Sequence, residues 1–286
     1  MGELRPGRWG RCVTAIAVVA AATTATLIGA TTSASAARTT NTVLYGTATG
    51  DYPDLGIAYW ASENADQVSV EIPDGGGNRI VFHDPNASSM SLTHDGSLAG
   101  TLCTLDDPTT ISCPKYAYDS SSTLRIVRNV SIIGWAGADH LSAGGDGMIV
   151  SSVSGGVATE STFTPIHVSL SGWEGDDVLT STGGYSSIDG GPGDDTLSSG
   201  PGKPAGAGSQ FVDKVDGGAG NDIIDTSSDN SPDVDAIHCD DQADVVPDPD
   251  TYLSDSLTKS SNDTVYQYYV PPSSYYPSGC DTVTTS

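Results

Sequence analysis

Basic residues are scarce in this chain: 11 lysines and arginines stand against 36 aspartates and glutamates among 286 residues, a formal net charge of −25. Charge of that sign repels phosphate backbones and anionic lipid headgroups, which argues against nucleic acid and acidic membrane surfaces and favours cations as partners. Long apolar runs are nearly absent. One Ala-rich run extends from Val13 to about Ala30, and no other stretch approaches the roughly 20 apolar residues a membrane-spanning helix needs. Catalytic signatures are missing too. His83, His94, His140, His167 and His238 form no H-E-x-x-H, and no G-x-S-x-G elbow occurs. Lys115, Lys203, Lys214, Lys259 and a few arginines are too few to stabilise an acidic sugar, which counts against a calcium-dependent polysaccharide lyase. The expectation is a protein that is not an enzyme.

What precedes and follows the apolar run gives it a meaning. Arg5, Arg8 and Arg11 come before it and Ser-Ala-Ser-Ala-Ala follows at 33–37, the pattern of a secretory signal peptide cut after Ala36 or Ala37. Export removes three arginines and Glu3, leaving 8 basic and 35 acidic residues and a net charge of −27. Of the cysteines, Cys12 goes with the leader, while Cys103, Cys113, Cys239 and Cys280 remain. Four cysteines in an exported chain suggest two disulfides and allow three pairings. Local spacing favours Cys103–Cys113 and Cys239–Cys280, each contributing on the order of 3–4 kcal/mol by loop entropy.

The body of the chain has a period. Gly172-Trp-Glu-Gly-Asp-Asp-Val-Leu179 reads G-x-x-G-x-D-x-L, and Gly190-Gly-Pro-Gly-Asp-Asp-Thr-Leu197 repeats it 18 residues later. Gly217-Gly-Ala-Gly-Asn-Asp-Ile-Ile224 follows after a further 27, so both steps are multiples of nine. Intermediate frames keep Ile188, Asp213 and Val215 in phase, whereas 199–207, with Pro201 and Pro204, is expected to loop out. An earlier echo, Val130 to Leu141, matches Val168 to Leu179 at an offset of 38 and reads as a strand running into the same turn; an insertion around 143–163 would absorb the excess. A worn copy ends at Val246.

Glycine tolerates positive φ, so the first four residues can turn tightly with carbonyls aimed inward. The sixth-position aspartate adds a carboxylate. Flexible oxygen donors of this kind suit Ca²⁺, which accepts six to eight of them, better than Mg²⁺. The apolar eighth residue cannot be buried by one turn alone, so turns must stack. With these features the segment 172–225 resembles the RTX, or haemolysin-type, calcium-binding nonapeptide repeat, G-G-x-G-x-D-x-U-x. The resemblance implies a parallel β-roll with Ca²⁺ between turns stacked on one side. On that reading Asp139, Asp177, Asp195, Asp213 and Asp222 supply carboxylates, and Gly172, Gly175, Gly190, Gly193, Gly217 and Gly220 build the turns. Asp177 is expected to lie above Asp195 with Asp213 continuing the stack, and Asp222 to fall on the other side. The whole arrangement also resembles the small secreted calcium-binding proteins of actinobacteria.

The expected fold is therefore all-β, a parallel β-roll or β-solenoid of nonapeptide repeats with an N-terminal β-rich cap segment. Its divisions are 1–36 signal peptide, 37–130 N-terminal β-rich segment, 131–246 repeat solenoid and 247–286 C-terminal flap. In the second part Val68-Ser-Val-Glu-Ile72, Arg79-Ile-Val-Phe82 and Leu124-Arg-Ile-Val127 read as strands between Gly, Asn, Asp and Pro turns, as early coils of the solenoid or as a separate small sandwich. The tyrosine-dense Tyr266–Pro277 reads as a flap covering the open end, or as a contact for a cell-wall or extracellular glycan. Calcium binding coupled to folding outside the cell is the expected function; a calcium-stiffened adhesive module is the alternative.

Overall fold

The structure, a computed structural model, describes residues 41–47, 55–73, 78–99, 102–145, 147–183, 185–200 and 213–226, with short strands at 236–238, 256–259, 264–265 and 282–285. Its regular elements are all strands, and among the described residues no helix is long and apolar enough to cross a membrane.

A strand of three or four residues cannot form a sheet alone, and the repeat solves this by addition in register. Each coil gives one strand to each of two sheets. Leu55–Trp60, Leu124–Ala136, His167–Glu174, Ser186–Pro192 and Lys214–Ala219 lie parallel in the first sheet. Gln67–Glu71, His140–Gly144, Val178–Ser181, Thr196–Ser198 and Ile223–Asp225 lie parallel in the second. These pairs are coils 1 to 5. Ala236–His238 and Thr264–Val265 extend the first sheet, and Ser256–Lys259 and Thr282–Thr285 the second, all parallel.

The apolar eighth position sets the register. Tyr59, Ile132, Leu170, Ile188, Val215 and Ile237 stand opposite one another along the first sheet. Val68, Leu141, Leu179, Leu197 and Ile224 do so along the second. Every one of them is buried, in a single core cluster shared by both sheets. The expected echo at an offset of 38 is present as a pairing: Val130 faces Val168 and Trp135 faces Trp173. Its excess residues form the antiparallel hairpin Met148–Ser154 and Val157–Pro165.

The core thins from one end to the other. Around coil 1 it holds Tyr45, Tyr59, Phe82, Leu55, Ile57, Ile72, Ile80 and Ile111, all fully buried. In coils 3 to 5 the second inward position of the second sheet becomes polar, with Ser181, Ser199 and Thr226 buried there. One apolar side chain per nonapeptide, worth about 1.5–3 kcal/mol, is small against ordering nine residues at about 1 kcal/mol or more each. The later coils need something else to hold them.

The sheets are mixed, which departs from a purely parallel roll. Asn41–Thr47 runs antiparallel to Leu55–Trp60, and Arg79–His83 antiparallel to both Gln67–Glu71 and Thr110–Pro114. Short connections join Asn41–Thr47 to Leu55–Trp60 and Gln67–Glu71 to Arg79–His83, and partners joined so closely are antiparallel. Cys103 and Cys113 are joined by a disulfide, as expected. Cys239, Cys280 and the tyrosine-rich segment lie outside the described residues.

Candidate metal centre

Each turn from the first sheet to the second is six residues long: Gly134–Asp139, Gly172–Asp177, Gly190–Asp195 and Gly217–Asp222 in coils 2 to 5. Position four is left-handed in all of them, at Gly137 (φ 116°), Gly175 (139°), Gly193 (150°) and Gly220 (152°). Space forbids any side chain at three of these. A Cβ on Gly175, Gly193 or Gly220 would stand 1.8–1.9 Å from the carbonyl oxygen of Gly137, Gly175 or Gly193 in the preceding coil. Position two is left-handed as well, at Gly191 (102°) and Gly218 (97°), yet also at Trp135 (89°) and Trp173 (72°). Those two indoles stack with ring centroids 4.9 Å apart, and Trp60 stacks on Trp135 at 6.5 Å.

Position one forms a cradle. From Gly172, the place a Cβ would take lies 2.2 Å from Asp177 Oδ2 and 2.6 Å from the carbonyl oxygen of Gly190 in the next coil. At Gly190 the same place lies 2.3 Å from both Asp195 Oδ2 and the Gly217 carbonyl, and at Gly134 it lies 2.4 Å from Asp139 Oδ2 and 2.7 Å from the Gly172 carbonyl. Coils 2 to 4 each thus bring one carboxylate oxygen and the next coil's carbonyl to one small space that glycine leaves open.

The other oxygen of each carboxylate ties coil to coil. The backbone N–H of Asp66 donates to Asp139 Oδ1 at 2.7 Å, that of Asp139 to Asp177 Oδ1 at 2.7 Å, that of Asp177 to Asp195 Oδ1 at 2.8 Å and that of Asp195 to Asp222 Oδ1 at 2.9 Å. Outside this ladder runs an exposed one, in which Asp194 N–H donates to Asp176 Oδ1 at 3.0 Å and Asn221 N–H to Asp194 Oδ1 at 2.8 Å.

The inner ladder is buried and electrostatically costly. Asp139, Asp177, Asp195 and Asp222 are at most 1% exposed. The Oδ2 atoms of Asp139, Asp177 and Asp195 meet no hydrogen-bond donor. Burial pushes the carboxyl of Asp177 up to about 6, Asp139 to about 7 and Asp195 to about 8, against the ladder hydrogen bonds, which pull them down. Neighbouring carboxylates add to the rise. A buried acceptor without a donor, facing a carbonyl across an open cradle, is an arrangement a cation relieves. All the donors are hard oxygens, the set that suits Ca²⁺. Among the described residues no three acidic, histidine or cysteine side chains gather at one point, so backbone carbonyls would complete the shell.

Most of the sequence-predicted residues come together here. Asp139, Asp177, Asp195 and Asp222 share one edge with Gly172, Gly175, Gly190, Gly193, Gly217 and Gly220, and Asp177 lies next to Asp195 as expected. The order beyond Asp195 is different. Asp222 continues the stack, while Asp213 sits on the opposite edge, where its Oδ1 accepts from Ser186 N–H and from Ser186 Oγ at 2.9 Å. The step of 27 carries nine residues more than the step of 18, which preserves phase but exchanges the two edges; the segment expected to loop out lies, beyond Gly200, outside the described residues. Sequence reasoning also missed Asp66 at the head of the ladder. Its coil has no glycine turn, although Asp66-Gln-Val68 shares the Asp-x-apolar step of Asp139-His-Leu141 and Asp177-Val-Leu179.

The RTX calcium-binding nonapeptide repeat matches the chain in four copies, at residues 128–147, 171–203 and 207–231. RTX nonapeptide repeats bind calcium ions, and the matched residues contain all four six-residue turns. Neither a curated protein nor a solved structure matches the chain.

Proposed function

We propose that this chain is an exported, non-enzymatic calcium-binding β-solenoid whose Gly/Asp turns take up Ca²⁺ between successive coils and are ordered by it. The observation that carries this reading is the trio of buried Oδ2 atoms, on Asp139, Asp177 and Asp195, each sharing a glycine cradle with a carbonyl of the next coil. Asp139 with Gly172, Asp177 with Gly190 and Asp195 with Gly217 would hold the ions, and Asp222 would close the row. Bound calcium supplies the positive charge that the buried carboxylates lack. Gly175, Gly193 and Gly220 leave room for the turn to close against the coil before it. Asp213 heads the second edge. The leader 1–36, the N-terminal segment 37–130, the repeats to 246 and the flap 247–286 are the divisions we assign, with the N-terminal segment supplying the first coil.

Calcium titration of residues 37–286 from EDTA tests this, read by far-UV circular dichroism and calorimetry. The expected result is saturable heat with a gain of β signal, both reduced in Asp177→Ala and Asp195→Ala. A chain that is fully folded in EDTA and gives no heat on addition of calcium would overturn it. A second reading, contact with an extracellular glycan, is favoured by the column of Trp60, Trp135 and Trp173, whose last indole is 42% exposed. Quenching of tryptophan fluorescence by soluble cell-wall glycans would support it, and an unchanged spectrum would not.

A further inference from the structure

Coil 1 makes the same turn by other means. Ile133 faces Trp60, which puts Ala61 in line with Gly134 and Ser62 in line with Trp135. Asp66 then occupies the sixth position, and its N–H joins the ladder through Asp139 Oδ1. Three differences set this turn apart. Its residues, Ala61-Ser-Glu-Asn-Ala-Asp66, include no glycine, and none of them is left-handed. Ala61 is fully buried and, by register, puts a methyl group where the cradles of Gly134, Gly172 and Gly190 are open. Asp66 Oδ2 accepts from Ser62 N–H at 2.8 Å and from Ser62 Oγ at 2.9 Å, whereas Oδ2 of Asp139, Asp177 and Asp195 meets no donor. Asp66 Oδ1 accepts in addition from Asn41 Nδ2 at 3.2 Å.

We propose that the turn of coil 1 is a metal-free counterpart of the calcium turns: Ser62 satisfies Asp66 as a cation would satisfy Asp139, Asp177 and Asp195, and Ala61 fills the cradle. The inference rests on the calcium reading of the later turns. Its consequence is that the N-terminal end of the ladder stays ordered without calcium and offers the Asp66 N–H as a standing template on which coil 2 docks. The surroundings of coil 1 fit that role. It is flanked by antiparallel strands, packed on the largest fully buried side chains among the described residues, and near the Cys103–Cys113 disulfide. A turn without glycine also loses less backbone freedom when it orders.

Amide hydrogen exchange of the full mature chain, followed by mass spectrometry in EDTA and in saturating calcium, tests the proposal. Expected in EDTA is retained protection over 55–71, 79–83 and 110–118, with exchange at least about a hundredfold faster over 178–198 and 214–225 than in calcium. Ser62→Ala should speed exchange over 61–68 in EDTA by about tenfold, the loss of one buried hydrogen bond to a charged group, and Ser62→Thr should restore it. If coil 1 loses protection in EDTA together with coils 3 to 5, the proposal is overturned while the calcium reading stands. If Ser62→Ala exchanges like the parent, Ser62 is not the substitute and the proposal is again overturned. If no coil responds to calcium, the reading beneath it fails first.

Discussion

At the scale of single residues, the left-handed glycines divide by what limits them. Gly155 is left-handed (φ 58°) with nothing within 4 Å of its missing Cβ, whereas Gly193 (φ 150°) faces a carbonyl oxygen 1.9 Å away. Gly155→Ala should therefore cost only the left-handed penalty of about 1–2 kcal/mol. Gly193→Ala must also displace the neighbouring coil and should cost roughly 2–4 kcal/mol. Urea unfolding of the two variants in calcium measures the difference, and equal losses would mean that the coils slide apart easily. His167 gives a second residue-scale test. Its Nδ1 meets Asn129 Oδ1 at 2.7 Å, its ring lies against Tyr185, and burial, helped by the charge of Lys214, lowers its pKa to about 4. The folded chain refuses a proton that the unfolded chain accepts between pH 6.5 and about 4, so this residue makes stability fall as pH drops through that window. Compared with His167→Gln, the parent should lose roughly 2–3 kcal/mol more between pH 7 and pH 4. Parallel losses in the two proteins would show that the imidazole stays solvated.

At the scale of elements, the two edges of the coils obey different rules. The ladder edge keeps six residues in every turn because cradle, ladder and carbonyl contacts all depend on that length. The opposite edge varies. From Ser181 to Ser186 the chain takes five steps, whereas from Ser199 to Asp213, at the equivalent places one coil on, it takes 14. Between coils 2 and 3 the same edge carries the hairpin Met148–Pro165. Deleting nine residues within 201–212 should leave the pairings of coil 5 intact and change stability by no more than about 1 kcal/mol, since loop closure depends weakly on length. Loss of calcium-dependent folding in that variant would show that these residues contribute more than a connection. This asymmetry also explains what the sequence could tell. Counting in nines recognised the turns at Asp177, Asp195 and Asp222, but edges alternate every nine residues and repeat every 18, so nine added residues moved Asp213 to the opposite edge unseen. Val130 and Val168 were legible as partners because their whole strand-and-turn patterns match.

At the scale of the molecule, the gradient of the core is the main organising feature. Coil 1, with Tyr59 and the hairpins around Phe82, is built as an ordinary apolar core; coils 4 and 5 keep one buried apolar residue per strand, and coils 3 to 5 add buried carboxylates. The sequence shows the second part clearly because repetition amplifies it. It shows the first part poorly, because Asp66 meets Asp139 across 73 residues and no local pattern announces that pairing.

The ladder has a consequence in the physics of polyelectrolytes. Strands in a sheet lie about 4.8 Å apart, so the in-register aspartates 66, 139, 177, 195 and 222 form a row about 20 Å long. Its charge grows as pH rises through the raised values of Asp177, Asp139 and Asp195, about 6, 7 and 8. Along so dense a line monovalent counterions accumulate, and a divalent ion must displace them to enter. Raising sodium chloride from about 20 to about 500 mM should weaken the apparent calcium affinity by at least about tenfold. Each ion that enters also lowers the line charge felt by the next, so filling one cradle makes its neighbours less attractive to calcium, while the ordering of the coil works in the opposite direction. Calorimetric titrations across that salt range would separate the two, because added salt suppresses only the electrostatic part.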